Sequence, residues 1–164
     1  MTKSTSNSQY IIEVHEDMGR VDLYIRGAIE TAETTGDVIT QLRTLAREYG
    51  TLHAYINTVG GCIDSAADFM AVFDEFETVV TIGSGRVMSA GFILWIKGHV
   101  RTLTPLTSVM IHREGYSMVG QTYNHIDYAA HTDRLFSDLF ASYVNNGYIT
   151  QEEYERCKTS NVYF

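Results

Sequence analysis

The sequence has one proline, two cysteines and no long apolar run, and each shortage excludes something. Cys62 and Cys157 lie far apart in the chain, with no CxxC pair and no histidine beside them. That removes a disulfide framework and a zinc site and leaves two free thiols in a reducing compartment. The longest uncharged apolar stretch, Met88 to Ile96, is about half a membrane span, and the opening MTKSTSNSQY lacks the apolar core of a secretory signal. A cytoplasmic chain without a membrane segment is expected. Basic residues are few, 12 against 20 acidic ones, and the net charge of −8 is interrupted by no basic cluster. Phosphate backbones and anionic membranes are repelled, so neither nucleic acid nor a membrane is expected as a main partner.

What is present suits a folded α/β domain. With 164 residues, 45% of them hydrophobic, one core can bury roughly two thirds of the unfolded surface. Residues 1–9 read as a flexible tail and residues 10–164 as a single domain. Val21 to Arg26 alternates apolar and polar as a half-buried strand does, ending at Gly27. Val38, Ile39, Leu42, Leu45, Ala46 and Tyr49 recur at helical spacing from about Thr35, and Gly50 is expected to stop that helix. Further strands are predicted at Leu52–Ile56, Thr78–Ile82, Val100–Leu103 and Thr107–Ile111. Asn57–Gly61 reads as a turn, followed by a helix whose apolar face holds Ile63, Ala66, Ala67, Met70 and Phe73. A short helix is predicted from Ser89 to Lys97 and a long one from about Tyr123 to Val144. Thr150 and Glu153 form a T-x-x-E capping box for a last helix. Strands alternating with helices imply largely parallel strands.

In such a sheet the functional loops gather at the carboxyl ends of the strands, where Gly60-Gly61, Met88-Ser89-Ala90 and His112 all fall. A serine at a helix start is usually a cap. Here Gly83 and Gly85 precede it, and a helix amino terminus at Ser89 would place backbone donors where an oxyanion could form. The G-x-S-x-G elbow is absent, because Val87 stands two before the serine. A phosphate loop is absent too: there is no GxxxxGK[ST], and Met88 replaces the last glycine of a G-x-G-x-x-G. Six histidines could serve as base: His15, His53, His99, His112, His125 and His131. His125 and His131 are six apart on a helix and cannot share a metal. Most of the six are expected to be ordinary, His53 could point either way from its strand, and His99 is the main rival of His112, which the apolar Val109-Met110-Ile111 puts slightly ahead. Asp127, Asp133 and Glu114 read as surface charges.

Taken in order, Ile56-Asn57 with Gly60-Gly61, Thr81-Ile82-Gly83 with Ser89, and Met110-Ile111-His112 resemble the ClpP family, the proteolytic subunits of the Clp proteases. Gly115 and Gly120-Gln121 match the glycines that follow the family's histidine, and the likeness runs from about Val21 to Phe164. It implies a ClpP/crotonase-like fold of repeated β-α units with a long handle helix, the handle covering about residues 113–146. It also implies Ser89 as nucleophile, His112 as general base and acid, and an oxyanion hole from the backbone N–H groups of Gly61 and Ala90. The triad's third position falls on Asn161, where the family has aspartate. An asparagine carbonyl can orient the imidazole but cannot offset the charge it gains, and in a trypsin-like triad the acid-to-amide change costs about 10⁴ in rate. Three further departures are Val59 for the family's proline, Ala90 for its methionine and Ser160 for its arginine.

Family resemblance further implies a serine endopeptidase that cleaves unfolded polypeptides in the chamber of a heptameric ring or a stacked double ring. An AAA+ unfoldase would be its partner. ATP would enter only through that partner, so no cofactor and no metal are expected in the chain itself. The chain ends at Phe164, where family members continue, as in a compact variant of the sort viruses encode or a truncated product. Two other readings remain open: a catalytically impaired subunit or scaffold, on the strength of Asn161, and a crotonase-like acyl-CoA enzyme with no covalent chemistry at Ser89.

Overall fold

A computed structural model describes residues 2–6, 9–113 and 122–164 of the chain. They fall into two compact units, Met1–Met110 together with Phe164, and Ile111–Tyr163. The boundary lies three residues before the expected start of the handle. Of that handle, Glu114 to Gln121, including Gly115 and Gly120-Gln121, lie outside the described residues.

The first unit opens with β1 (Thr2–Ser6), paired antiparallel with β2 (Tyr10–His15), within and just after the stretch expected as a tail. β2 pairs antiparallel with β3 (Arg20–Ile29). After α1 (Ala32–Ala46), β4 (Thr51–Gly61) joins β3 in parallel. After α2 (Ile63–Phe73), β5 (Thr78–Met88) joins β4 in parallel, and α3 (Ala90–Ile96) follows directly. β6 (Val100–Leu103) and β7 (Ser108–Ile111) lie end to end along the free edge of β5, beside its first and second halves. The parallel order expected of alternating strands and helices therefore holds from β3 to β7.

Packing follows the period-2 pattern. Val21, Leu23 and Ile25 of β3 and Leu52, Ala54 and Ile56 of β4 are all completely buried. They share one face with Leu42 of α1 and with Phe69, Val72 and Phe73 of α2, and Tyr10 of β2 meets Phe69 with ring centroids 5.6 Å apart. The α3 sequence is apolar all round, Ala90-Gly91-Phe92-Ile93-Leu94-Trp95-Ile96, because it is a central helix against β4 and β5. On the alternate residues of the same strands, Tyr24 stacks on Tyr55 at 4.7 Å and the Arg26 guanidinium lies 5.4 Å from the Tyr24 ring.

Strand β4 runs to Gly61 and β5 to Met88, both through glycine segments that read as loops in sequence. The glycines allow it: Gly60, Gly61 and Gly85 take φ of 93°, 145° and 62°, so the pairing continues in conformations that other residues avoid. Gly27 likewise does not end β3 but marks a bulge, with the register shifting between Gly27 and Ala28.

In the second unit α4 (Thr122–Asn145) and α5 (Gln151–Cys157) precede β8 (Val162–Tyr163). Gly147, at φ 72°, turns the chain out of α4. The capping box is formed: the Glu153 N–H donates to Thr150 Oγ1 at 3.2 Å, and the Thr150 N–H donates to the Glu153 carboxylate at 2.6 Å. Phe140 of α4 stacks on Tyr154 of α5 at 5.8 Å, while Ile126, Tyr128 and Leu135 of α4 are exposed.

Candidate active site

Ser89 joins β5 to α3. Its backbone sits at φ 54°, ψ −121°, and only Leu106 shares a positive φ among the described non-glycine residues. Such a conformation costs on the order of 1 to 3 kcal/mol and persists only where the surroundings impose it. Here they do. The Ser89 N–H donates to Met110 O at 2.8 Å, and Ser89 O accepts from Phe92 N at 2.9 Å, so the residue is pinned between β7 and the first turn of a buried helix. Although it occupies the N-cap position, its hydroxyl makes no capping hydrogen bond to that helix. The side chain of a strained strand-to-helix serine is thus not used where a cap would use it.

Gly60 is packed against this junction. A β-carbon there would lie 2.6 Å from Ser89 Cβ, 2.7 Å from Met88 O and 3.1 Å from Ala90 N. At Gly61 a β-carbon would overlap the Ile29 carbonyl, and the next amide, Cys62 N–H, donates to Ile29 O at 2.8 Å. The Gly-Gly pair therefore brings bare backbone beside the serine, where any side chain would push it away. One contributor was not foreseen. Thr58 stands in phase with the inward set Leu52, Ala54 and Ile56, and a polar residue in that register was the available signal.

The histidines separate by strand end. His99 binds the start of β5 twice, its ring Nδ1 accepting from Val79 N–H at 3.0 Å and its backbone N–H donating to Val79 O at 2.8 Å. Val79 precedes Ser89 by ten strand residues, roughly 30 Å of rise, so His99 is no partner for the serine. His53 pairs in register with Val80 at that same end, and burial, aided by the Arg20 charge, pushes its pKa down. His15 bonds Asp22 at 3.2 Å, again near the amino ends of the parallel strands. Glu13, His15 and Asp22 gather their ligating atoms within 4.8 Å, but Arg20 Nε lies 2.8 Å from Asp22 Oδ1 and, with His15, already occupies that carboxylate. His131 is exposed on α4, and the side chain of His125 lies outside the described residues.

His112 follows β7, whose Met110 pairs in register with Met88 and accepts the Ser89 N–H. The imidazole is half-buried, and the next residue, Arg113, donates its N–H to Cys157 O at 3.3 Å at the end of α5. Asn161 is exposed, four residues beyond Cys157 and directly before β8. Ser89, Ala90, Gly60 and Gly61 thus meet within the first unit, while His112 and Asn161 belong to the second. Within that second unit a pocket is lined by Phe136, Phe140, Tyr154 and Cys157, with Arg113 ion-paired to Asp133. Burial, with the Glu153 charge, pushes the Cys157 thiol up to about 11. Glu114 lies outside the described residues, and Asp127 is exposed on α4.

The sequence model of the Clp protease family matches residues 7–164. The chain belongs to that family. No curated protein matches it in sequence. The match covers every element from β2 to β8, and the mixed α/β architecture is that of the family. Clp protease membership makes this a ClpP-type peptidase chain of the serine hydrolase class. No helix among the described residues is long and apolar enough to cross a membrane.

Proposed function

We propose that this Clp protease family member is a cytoplasmic serine endopeptidase with Ser89 as nucleophile. The observation that carries the reading is the Ser89 backbone at φ 54°, ψ −121° on a strand-to-helix junction, with its hydroxyl left out of the helix cap. Ser89 Oγ attacks the scissile carbonyl carbon while His112 takes the hydroxyl proton. The carbonyl oxygen becomes an oxyanion and is held by the N–H groups of Gly61 and Ala90. Collapse expels the amine, protonated by His112, and leaves an acyl-serine. Water, deprotonated by the same imidazole, then releases the acid and restores the serine.

Support for His112 comes from connectivity. It is two residues beyond Met110, whose carbonyl holds the Ser89 amide, and an extended chain spans about 7 Å in two residues. Asn161 takes the third position, its carbonyl accepting the imidazole N–H. Backbone pairing of an extended substrate along a strand edge makes the preference broad. Assembly into a heptameric ring or double ring, fed by an AAA+ unfoldase, follows the family pattern, and the exposed Ile126, Tyr128 and Leu135 of α4 supply apolar surface for it.

Asn161 favours a second reading, an impaired subunit that assembles with an active partner. A fluorophosphonate separates the two readings: one adduct per chain by intact mass, absent in Ser89→Ala, is expected of the peptidase. No adduct on the wild-type chain would sink it, and would equally suit a crotonase-like acyl-CoA enzyme, which acyl-CoA turnover would reveal. Native mass measures the ring.

A further inference from the structure

Between Gly27 and Ala28, β3 advances one residue while β4 advances two, from Thr58 to Gly60. Val59 is therefore the extra residue of a β-bulge, and its side chain is exposed. A bulge breaks the ladder locally and leaves backbone groups without their usual partners. The Thr58 hydroxyl fills the gap: it donates to Gly27 O at 2.6 Å and accepts from Gly60 N–H at 3.0 Å. The side chain that does this is 1% exposed, and its methyl lies where a β-carbon on Gly91 of α3 would fall. One threonine thus touches Gly27 of β3 opposite the bulge, the Gly-Gly end of β4 and the helix that follows Ser89.

We propose that Thr58 is a positioning residue for the oxyanion hole, an assignment that rests on the peptidase reading above. Gly61 stands between two anchored amides, Gly60 N–H on Thr58 and Cys62 N–H on Ile29 O. With both neighbours held, the direction of the Gly61 N–H is set before substrate arrives, as electrostatic preorganisation requires. Gly60 itself has φ 93° and, lacking a side chain, would rotate readily if its amide were released. The hydroxyl is the only group of Thr58 that can hold it, because valine of the same shape offers neither donor nor acceptor.

The test compares wild type, Thr58→Val and Thr58→Ser by peptide hydrolysis per fluorophosphonate-titrated site and by amide hydrogen exchange at Gly60. Loss of one oxyanion donor costs about 10² to 10³ in kcat, so misaiming one in T58V is expected to lower kcat about tenfold or more with KM nearly unchanged. Exchange at Gly60 accelerates in the same variant, and T58S, which keeps the hydroxyl, recovers most of both. A residue that only stabilised the fold would reduce the number of titratable sites without changing kcat per site. Unchanged Gly60 exchange in T58V overturns the bridge, and faster exchange with unchanged kcat overturns the positioning role. If the wild-type chain neither hydrolyses peptide nor takes the fluorophosphonate, the peptidase reading fails, and Gly60 exchange still decides for or against the bridge.

Discussion

Gly60→Ala perturbs the packing of the Gly-Gly segment on the Ser89 junction. The added β-carbon would meet Ser89 Cβ at 2.6 Å, Met88 O at 2.7 Å and Ala90 N at 3.1 Å. None of these is the far end of a flexible side chain; they belong to a paired strand end and a buried helix, so the overlap is relieved by moving backbone. Overpacking of this kind costs about 1 to 3 kcal/mol. An L residue held at φ 93° adds on the order of 1 to 2 kcal/mol. Together these remove about 2 to 5 kcal/mol from a total of about 5 to 15, which lowers a urea midpoint by about 1 to 2.5 M at a slope of about 2 kcal/mol/M. Chemistry suffers separately, since a displacement of about 1 Å in a reacting group costs about a hundredfold in rate. Urea unfolding and the rate of fluorophosphonate labelling at Ser89 read the two effects. Gly36→Ala is the control: in mid-α1, with nothing within 4 Å of the new β-carbon, it is expected to stabilise by about 0.5 to 1 kcal/mol. Wild-type midpoint and labelling rate in Gly60→Ala would refute the packing of Gly60 on Ser89.

Asn161→Asp is expected to raise kcat for a fluorogenic peptide, by up to about 10⁴ if the carboxylate takes the full role of a triad acid; an unchanged rate moves the third member to another residue. Thr150→Ala removes the hydroxyl that accepts the Glu153 N–H, leaves the backbone half of the capping box, and costs about 1 kcal/mol, with exchange rising first in the α5 amides. The Cys157 thiol ionises at about 11 when folded against 9.0 for the free group, so between those values the unfolded chain has lost a proton that the folded chain keeps. Stability therefore falls as pH rises from about 9 to about 11, and Cys157→Ala makes that fall shallower. In native protein iodoacetamide is expected to modify the half-exposed Cys62 well before the buried Cys157, as peptide mapping would show.

Local rules in the sequence carried some elements completely. The T-x-x-E at Thr150 forms its box because both bonds lie within one helical turn, and β6 has the predicted bounds, Val100–Leu103. The helical spacing that placed α2 and α4 is likewise a property of neighbours three and four apart. β2 was missed, and β4 and β5 were cut short at glycines, because glycine reads as a turn wherever only local preference is weighed. In the sheet those glycines are demanded by neighbours distant in sequence, Ile29 for Gly61 and Ser89 for Gly60.

Motif order alone was enough to place the chain among the Clp proteases and to single out Ser89, Gly61 and His112. Composition and one short residue type, the asparagine at 161, set the remaining question about its acid. Tertiary structure decided what one-dimensional spacing cannot express: that His99 is bound to the wrong end of β5, that Ser89 is a strained junction whose hydroxyl does not cap its helix, and that Thr58 closes a bulge beside it. The physical reason is the same in each case. These properties depend on which strand end faces which, and strand pairing joins residues whose separation along the chain carries no record of their contact.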